Sequence, residues 1–319
     1  MTNQCKLFIG CVSRNTIDAT IEYANEHNIL LGLIPSRRQI DYDGGYIGFT
    51  SHQLYDYVHL KTKNVILQRD HGGPSQGKKI DDGVFSFMDD CKYYDLLHID
   101  PWKQYHDLEE GLYYTKNLIE ICLSNNFKGA FEIATEQSIR EFTVSEVEYI
   151  TKSLLEYPIK YVVIQSGTSL KENVNTGVYD QNKLINFCSM VKQYGYLSKE
   201  HNGDYMDSNL IKQKFGYGLD AINIAPEFGY YESTCYISAI KKFNPALSTI
   251  LYQICYDSNQ WKKWVNKNFD INNQEKLIEI CGHYVLENNT FISEIKNKLP
   301  DISIDIKTKM KNKIHSIIC

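Results

Sequence analysis

The chain has 319 residues, 43% hydrophobic and 23% charged, enough to bury a sizeable core and too apolar for a disordered polymer. Its 34 Lys and Arg against 39 Asp and Glu give a net charge of −5, so no basic excess exists to hold nucleic acid. No apolar run approaches the roughly 18 residues of a membrane helix. Met1–Lys6 holds no charged segment leading into a long apolar stretch, so a cytoplasmic location is expected. The nine cysteines are odd in number and include no Cys-x-x-Cys pair, which points to free thiols and away from a disulfide framework or a thiolate zinc site.

Eight short apolar runs follow one another, each leading into a stretch of helical spacing. They begin near Lys6 (KLFIGCV), Leu30 (LLGLIPS), Val65 (VILQRD), Tyr94 (YDLLHID), Ala130 (AFEIATE), Tyr161 (YVVIQSG), Tyr196 (YLSKEH) and Leu219 (LDAINIAPE). Runs apolar throughout, without in/out alternation, read as parallel strands covered on both faces. Between them, Ile17, Ile21 and Ala24, and later Val147, Ile150 and Leu154, fall on single helical faces. Eight such units in residues 1–245 match the roughly 250 residues of a (β/α)8 TIM barrel. Neither a Gly-x-Gly-x-x-Gly turn nor a Walker phosphate loop is present to favour another α/β fold. Residues 246–319 read as a C-terminal helical extension packed on the barrel, with Trp261, Trp264, Phe269, Leu277 and Ile280 as packing residues. Lys307, Lys309, Lys311 and Lys313 read as a solvated helix face.

In a barrel the strand C-termini converge on one face, and the active site forms there. The second run ends near Arg37, Arg38 and Gln39, the third in Arg69-Asp70-His71-Gly72-Gly73, and the fourth in His98-Ile99-Asp100. The fifth ends in Thr135-Glu136, the sixth in Gln165-Ser166-Gly167, the seventh in Lys199-Glu200-His201-Asn202-Gly203-Asp204, and the eighth in Asn223, Pro226 and Glu227. One histidine at a strand end usually means a hydrogen-bonded core residue. Three, His71, His98 and His201, interleaved with carboxylates, suit zinc or another divalent metal. Such a metal polarises a carbonyl, and Asp70, Glu136 and Asp204 are the candidate proton carriers beside it. Gly72 and Gly73 would allow close backbone approach to a ligand. Gly167 and Gly203 would offer backbone N–H groups to a phosphate, with Ser166, Thr168 and Ser169 adding donors, and Asn202 and Asn223 are further substrate-facing residues. Arg37, Arg38 and Arg69 would hold phosphate or carboxylate groups, each against the alternative of a structural ion pair. Gln39, Gln165 and Glu227 complete the substrate-facing set. Lys199 reads as a salt-bridging or substrate-facing lysine, since its neighbour Glu200 disfavours the neutral amine that a Schiff base needs.

Taken together, the strand-end motifs resemble those of the accessory, non-catalytic subunit family of class II tagatose-bisphosphate aldolase, once labelled tagatose-6-phosphate kinase, over about the first 235 residues. Gln39 with Gly44-Gly45-Tyr46 and Gly48 is similar to its Gln-x-x-x-x-Gly-Gly-Tyr-x-Gly segment. Asp70-His71-x-Gly73-Pro74 is similar to its Asp-His-x-Gly-Pro, and His98-Ile99-Asp100 to its His-Leu-Asp. Thr135-Glu136 resembles its Gly-Thr-Glu, Gln165-x-Gly167 its Gln-Pro-Gly, and His201-x-x-Asp204-Tyr205 its His-Ser-Thr-Asp-Tyr. The resemblance implies a (β/α)8 fold, sugar-phosphate chemistry with a phosphorylated sugar as ligand, Asp70 as acid/base and His71 as a zinc ligand. It also implies a class II aldolase catalytic subunit as a possible partner, besides a homo-oligomer. The chain departs from the family at Ile34, Arg38, Arg69, Ser166 and Glu227, which changes the charge of the cavity. Three readings follow: a metal-assisted aldolase acting on a ketose phosphate or related sugar, a non-catalytic subunit that stabilises a separate aldolase, and a sugar-phosphate isomerase or epimerase using Glu136 or Glu227 as base.

Overall fold

A computed structural model describes residues 4–319. All eight apolar runs are strands: β1 (Leu7–Ile9), β2 (Leu31–Leu33), β3 (Val65–Gly72), β4 (Leu96–Ile99), β5 (Ala130–Ile133) and β6 (Ile159–Ile164), then β9 (Leu197–Glu200) and β10 (Ala221–Ile224). A short antiparallel hairpin, β7 (Leu170–Lys171) and β8 (Val174–Asn175), lies between them. The eight long-range pairings are parallel and close a barrel in the order β1-β10-β9-β6-β5-β4-β3-β2. Helices α1 (Arg14–His27), α2 (Ser51–His59), α3 (Val84–Asp90), α4 (Leu108–Ser124), α5 (Val144–Ser153), α6 (Gln181–Gln193), α7 (Ser208–Gly216) and α8 (Pro226–Phe243) alternate with the strands. The chain is therefore a (β/α)8 barrel.

The local signals explain the helix starts. Ser13 accepts the Thr16 N–H at the head of α1, and the expected inner face, Ile17, Ile21 and Ala24, is buried. Thr143 and Glu146 form a capping box that opens α5, which buries Val147 and Ile150. The long connection after β2 contains α2, also opened by a capping box, from Thr50 and Gln53.

Inside the barrel the chemistry changes along the axis. Cys5, Phe8, Ile34, Leu96, Tyr161 and Ala221 form an apolar floor. Gly32 has no side chain because a Cβ there would lie 2.1 Å from the Phe8 ring. On this floor stands Lys199, its ammonium 3.5 Å from the Phe8 ring centroid and fully buried. Lys199 reaches Glu132 (2.8 Å) and Gln68 (2.6 Å), and Glu132 in turn reaches two histidines. A charged layer thus separates the apolar floor from the strand C-termini.

Beyond Asn244 no strand occurs among the described residues. Helices α9 (Leu247–Asp257), α10 (Gln274–Cys281), α11 (Asn289–Glu294) and α12 (Ser303–Ile318) follow, with α10 against α8 and α9, and α12 against α1, α7 and α8. The lysine row on α12 differs from its reading as a solvated face. Lys307 and Lys311 pair with Glu22 and Glu26 of α1, Lys309 donates to Thr234, and Lys313 reaches Glu227 at 2.9 Å. The partly exposed pairs with Glu22 and Glu26 contribute about 0–1 kcal/mol each. The larger share of the docking comes from buried Ile306, Met310, Ile314 and Ile317, at about 1.5–3 kcal/mol per side chain. No helix among the described residues is long and apolar enough to cross a membrane.

His283 is buried where the extension meets α8; a Cβ on Gly229 would lie 2.5 Å from it. Burial, then the charge of Lys263, pulls its pKa down to about 3. The folded chain therefore binds one proton fewer than the unfolded chain between that value and an unfolded pKa near 6.5, so this residue's contribution to stability is lost as pH falls through that window. His283→Phe keeps the shape without the titration. Between pH 6.5 and 4.5 the parent should lose about 2–3 kcal/mol more than the variant, at ~1.36 kcal/mol per pH unit. Urea midpoints at the two pH values check this, and identical slopes in both chains would refute it.

Candidate metal centre

At the C-terminal end of β3 the strand is irregular: its register against β4 shifts between Arg69 and Gly72, and His71 has φ 45°, in the left-handed region. A regular strand would send adjacent side chains to opposite faces. The bulge instead brings both Asp70 and His71 to the barrel mouth, at a backbone cost of order 1–3 kcal/mol. The glycines that follow serve this turn more than a ligand. A Cβ on Gly72 would lie 2.5 Å from the Phe87 ring, and one on Gly73 (φ 143°) 2.7 Å from the Asp100 carbonyl oxygen.

His98 comes from β4 and His201 from the residue after β9. The three imidazole rings stand 5.0, 5.1 and 5.1 Å apart, centroid to centroid. Each is held through one nitrogen: His71 Nδ1 on Asp100 (2.6 Å), His98 Nε2 on the Ala134 carbonyl (2.8 Å), and His201 Nε2 on Glu132 (2.8 Å). A carbonyl only accepts, so His98 Nε2 carries the proton and Nδ1 the lone pair; Nδ1 accepts the His71 N–H at 3.2 Å. The remaining nitrogens of His71 and His201 face Glu136, whose Oε2 is 3.5 Å from the first and 3.7 Å from the second. Asp70 is 3.9 Å from His71 Nε2 and accepts from Asn223 at 3.4 Å. The donor atoms of Asp70, His71, His98 and His201 all lie within 4.8 Å of one another.

These residues fit a divalent metal, whose bond to the His98 Nδ1 lone pair would replace the 3.2 Å contact from the His71 N–H. Three imidazoles, each anchored through its other nitrogen to a carboxylate or carbonyl, with a carboxylate beside them, form a nitrogen–oxygen donor set suited to zinc or another first-row ion. The electrostatics agree with a place for positive charge. Burial opposes protonation of His71, but Asp70, Asp100 and Glu136 outweigh it and hold its pKa well above the usual value. His201 is raised likewise by Glu132 and Glu136 against burial, whereas burial lowers His98. Glu132 and Glu136, despite burial, are held well below the usual carboxylate range by the cations and rings around them, Lys199 leading for Glu132 and His201 for Glu136.

The other expected site residues divide by their partners. Arg69 does not face the mouth: all five of its N–H donors are used, on Asp90, Pro35, Ile40 and Ser51, and it is fully buried. Arg37 braces the same region through Asp41, Asp81 and the Gly73 carbonyl, and Gln39 accepts the Ser36 N–H. Gln165 bonds Thr135, Arg140 and Phe142. Ser166 joins a buried Glu200–Lys214 pair, and Gly167 packs against the Val178 carbonyl. The Gly203 N–H is taken by Asn223, and the Asn202 carbonyl accepts from Asn175. Asp204 turns from the histidines to the head of α8, where it accepts the Ala225 and Glu227 N–H groups at 2.8 Å each. Burial, and next the charge of Glu227, push its carboxyl up to about 8. Glu227 accepts the Tyr205 N–H and pairs with Lys313. Arg38 is exposed.

Glu132 lies inside its strand and not at a strand end, so the strand-end pattern does not mark it. Its signal was a carboxylate inside the apolar run Ala130–Ile133, where a charge is tolerated only if paired.

No protein-family model matches the chain, and no curated protein matches its sequence. In three dimensions it is similar to a protein described as a probable tagatose 6 phosphate kinase from Sinorhizobium meliloti 1021, with TM-score 0.73 and 14% identity over 98% of this chain and 99% of that one. It is similar to the fructuronate-tagaturonate epimerase UxaE from Cohnella laeviribosi, with TM-score 0.66 and 11% identity over 98% of this chain and 81% of that one. It is also similar to the fructose-bisphosphate aldolase Fba from Campylobacter jejuni, with TM-score 0.57 and 14% identity over 93% of this chain and 92% of that one. At these identities the likeness shows a shared fold.

Proposed function

We propose that the chain is a metal-dependent enzyme that makes or breaks a carbon–carbon bond next to the carbonyl of a ketose phosphate or related sugar. The observation that carries this reading is the meeting of His71, His98 and His201 at one point, with Asp70 and Glu136 beside the His71 nitrogen that faces it. His71, His98 and His201 would hold a divalent ion, zinc by donor type, which would supply Lewis-acid polarisation of the substrate carbonyl. Asp70 takes the hydroxyl proton as the carbon–carbon bond breaks, and Glu136 returns a proton to the carbon left behind. Asn223 orients Asp70, and Asp100 and Glu132 fix the rings of His71 and His201. Asp204, held at the head of α8, orients the eighth strand–helix loop in this scheme.

A second reading, epimerisation, draws on the same pair of carboxylates. Asp70 and Glu136 both approach His71 Nε2, at 3.9 and 3.5 Å, so one could withdraw a proton from a carbon and the other return it. The likeness to UxaE, described as an epimerase, adds support to this alternative.

The test is metal analysis of the purified chain followed by a panel of ketose mono- and bisphosphates and ketose acids, with products identified by NMR. The expected result is about one metal per chain, in keeping with a single three-imidazole site, and cleavage that a chelator abolishes and zinc restores. Epimerised product in place of fragments selects the second reading. A metal-loaded chain inert to the whole panel removes both and leaves the role of a supporting subunit for a separate aldolase.

A further inference from the structure

The cations in and around this end of the barrel divide into two groups. Arg37, Arg69 and Lys199 are spent on buried carboxylates. Arg38, Lys78, Lys103 and Lys263 have no carboxylate partner among the described residues, although neighbouring Lys79 finds Asp43 at 3.6 Å. A cavity of about 350 Å³ is lined by Arg38, Lys78, Tyr46, Gln260 and Tyr284. Lys263 adjoins it, its ammonium 4.8 Å from the Tyr284 ring centroid and 4.9 Å from that of Trp264. Lys103, anchored on the Ser75 carbonyl at 2.8 Å, is close enough for its charge to act on Lys263, as does that of Arg38. Arg38 follows the C-terminal end of β2 and Lys103 that of β4, the strand that carries His98, so this cluster and the three imidazoles belong to one end of the barrel.

We propose that this cavity, built jointly by the loop after β2, the loop after β3 and the C-terminal extension, with Lys103 of the loop after β4 and Lys263 of the extension beside it, binds the phosphate group of the substrate.

Unpaired cations repel one another, and in a chain of net charge −5 their accumulation here is a local feature. Partial loss of water, then the charges of Arg38 and Lys103, lower the pKa of Lys263, whose side chain stays exposed, and an arriving anion would relieve the mutual repulsion of these cations. A phosphate dianion brings two charges and several acceptor oxygens, which matches guanidinium and ammonium donors better than a monocarboxylate does. Of the backbone donors that the sequence suggested for phosphate, the Gly203 N–H is already taken by the Asn223 carbonyl. The proposal rests on the sugar-phosphate reading only for which molecule carries the phosphate; phosphate binding itself is independent of turnover.

Titration calorimetry with inorganic phosphate on the full, chelator-treated chain tests it, with acetate as the comparison ligand. Phosphate should bind once per chain and acetate at least about tenfold more weakly, and Lys103→Gln/Lys263→Gln should weaken phosphate at least about tenfold with an unchanged circular dichroism spectrum. Where a phosphorylated substrate is turned over, the same variant should raise KM at least about tenfold and leave kcat near the parent value, the signature of lost uniform binding. Phosphate that fails to bind at tens of millimolar, that binds the variant as well as the parent, or that binds no better than acetate overturns the proposal. If phosphate binds as expected and the substrate panel stays inert, the cavity stands and the proposed reaction falls.

Discussion

Asp70→Asn should lower turnover by about 10²–10⁴-fold while leaving metal content and the unfolding midpoint at parental values. The amide has the shape of the carboxylate and still offers an oxygen to Asn223, so the bulge at Asp70–His71 has no reason to rearrange. What the variant lacks is the ability to accept a proton. The 3.9 Å between Asp70 and His71 Nε2 is too long for a hydrogen bond, which leaves that carboxylate oxygen free to meet a substrate hydroxyl. Glu136→Gln is the companion measurement, because Glu136 borders both His71 and His201. If Asp70→Asn is silent and Glu136→Gln abolishes turnover, Glu136 is the base and the aldol assignment of Asp70 is wrong. If metal is lost along with activity in Asp70→Asn, this carboxylate is a ligand and its role in proton transfer goes.

The sequence carried the barrel because parallel strands wrapped by helices are largely apolar on both faces; most of the eight runs follow that rule, and YLSKEH, with Ser198, Lys199 and Glu200 inside its strand, departs from it. It also carried the grouping of His71, His98 and His201, since strand ends of a barrel converge whatever their separation along the chain. It could not carry the direction of each side chain. Arg69 and Asp70 are neighbours, yet one is locked behind the strand on Asp90 and the other stands at the mouth, and the bulge that sets this has no marker beyond the adjacent glycines. Asp204 and Glu227 were legible as polar strand-end residues, but their partners, the head of α8 and Lys313 of α12, exist only once the chain has closed. Lys263 lies outside the barrel strands altogether, so a search confined to strand ends passes over it. Interior charges such as Glu132 obey a different signal, polarity inside an apolar run, and deserve a separate reading of every strand.

That interior charge gives the other large effect. Glu132→Gln should destabilise the fold by about 3–5 kcal/mol, the cost of leaving a buried ion without its partner, and weaken metal binding by about 10–100-fold, the usual consequence of losing the group that orients a ligating imidazole. Both follow from one carboxylate with two oxygens in use: one 2.8 Å from His201 Nε2 and 3.6 Å from His98, the other 2.8 Å from Lys199. In the variant, Lys199 keeps only Gln68 and the Phe8 ring, in a layer with no access to water. Its ammonium then sheds the proton more readily in the folded chain than in the unfolded one. The folded state binds fewer protons, so the variant should recover stability relative to the parent as pH rises from 7 toward the unfolded lysine pKa near 10.4. Lys199→Met added to Glu132→Gln removes the orphaned charge and places an apolar chain over Phe8 and Tyr161, and should restore most of the lost stability. It should not restore metal affinity, because His201 still lacks its carboxylate. Urea unfolding and zinc titration of the parent, the single variant and the double variant separate the two roles. Equal stability of all three chains would show that the Glu132–Lys199 pair carries no net weight in the fold, and unchanged zinc affinity would show that Glu132 does not position the histidine.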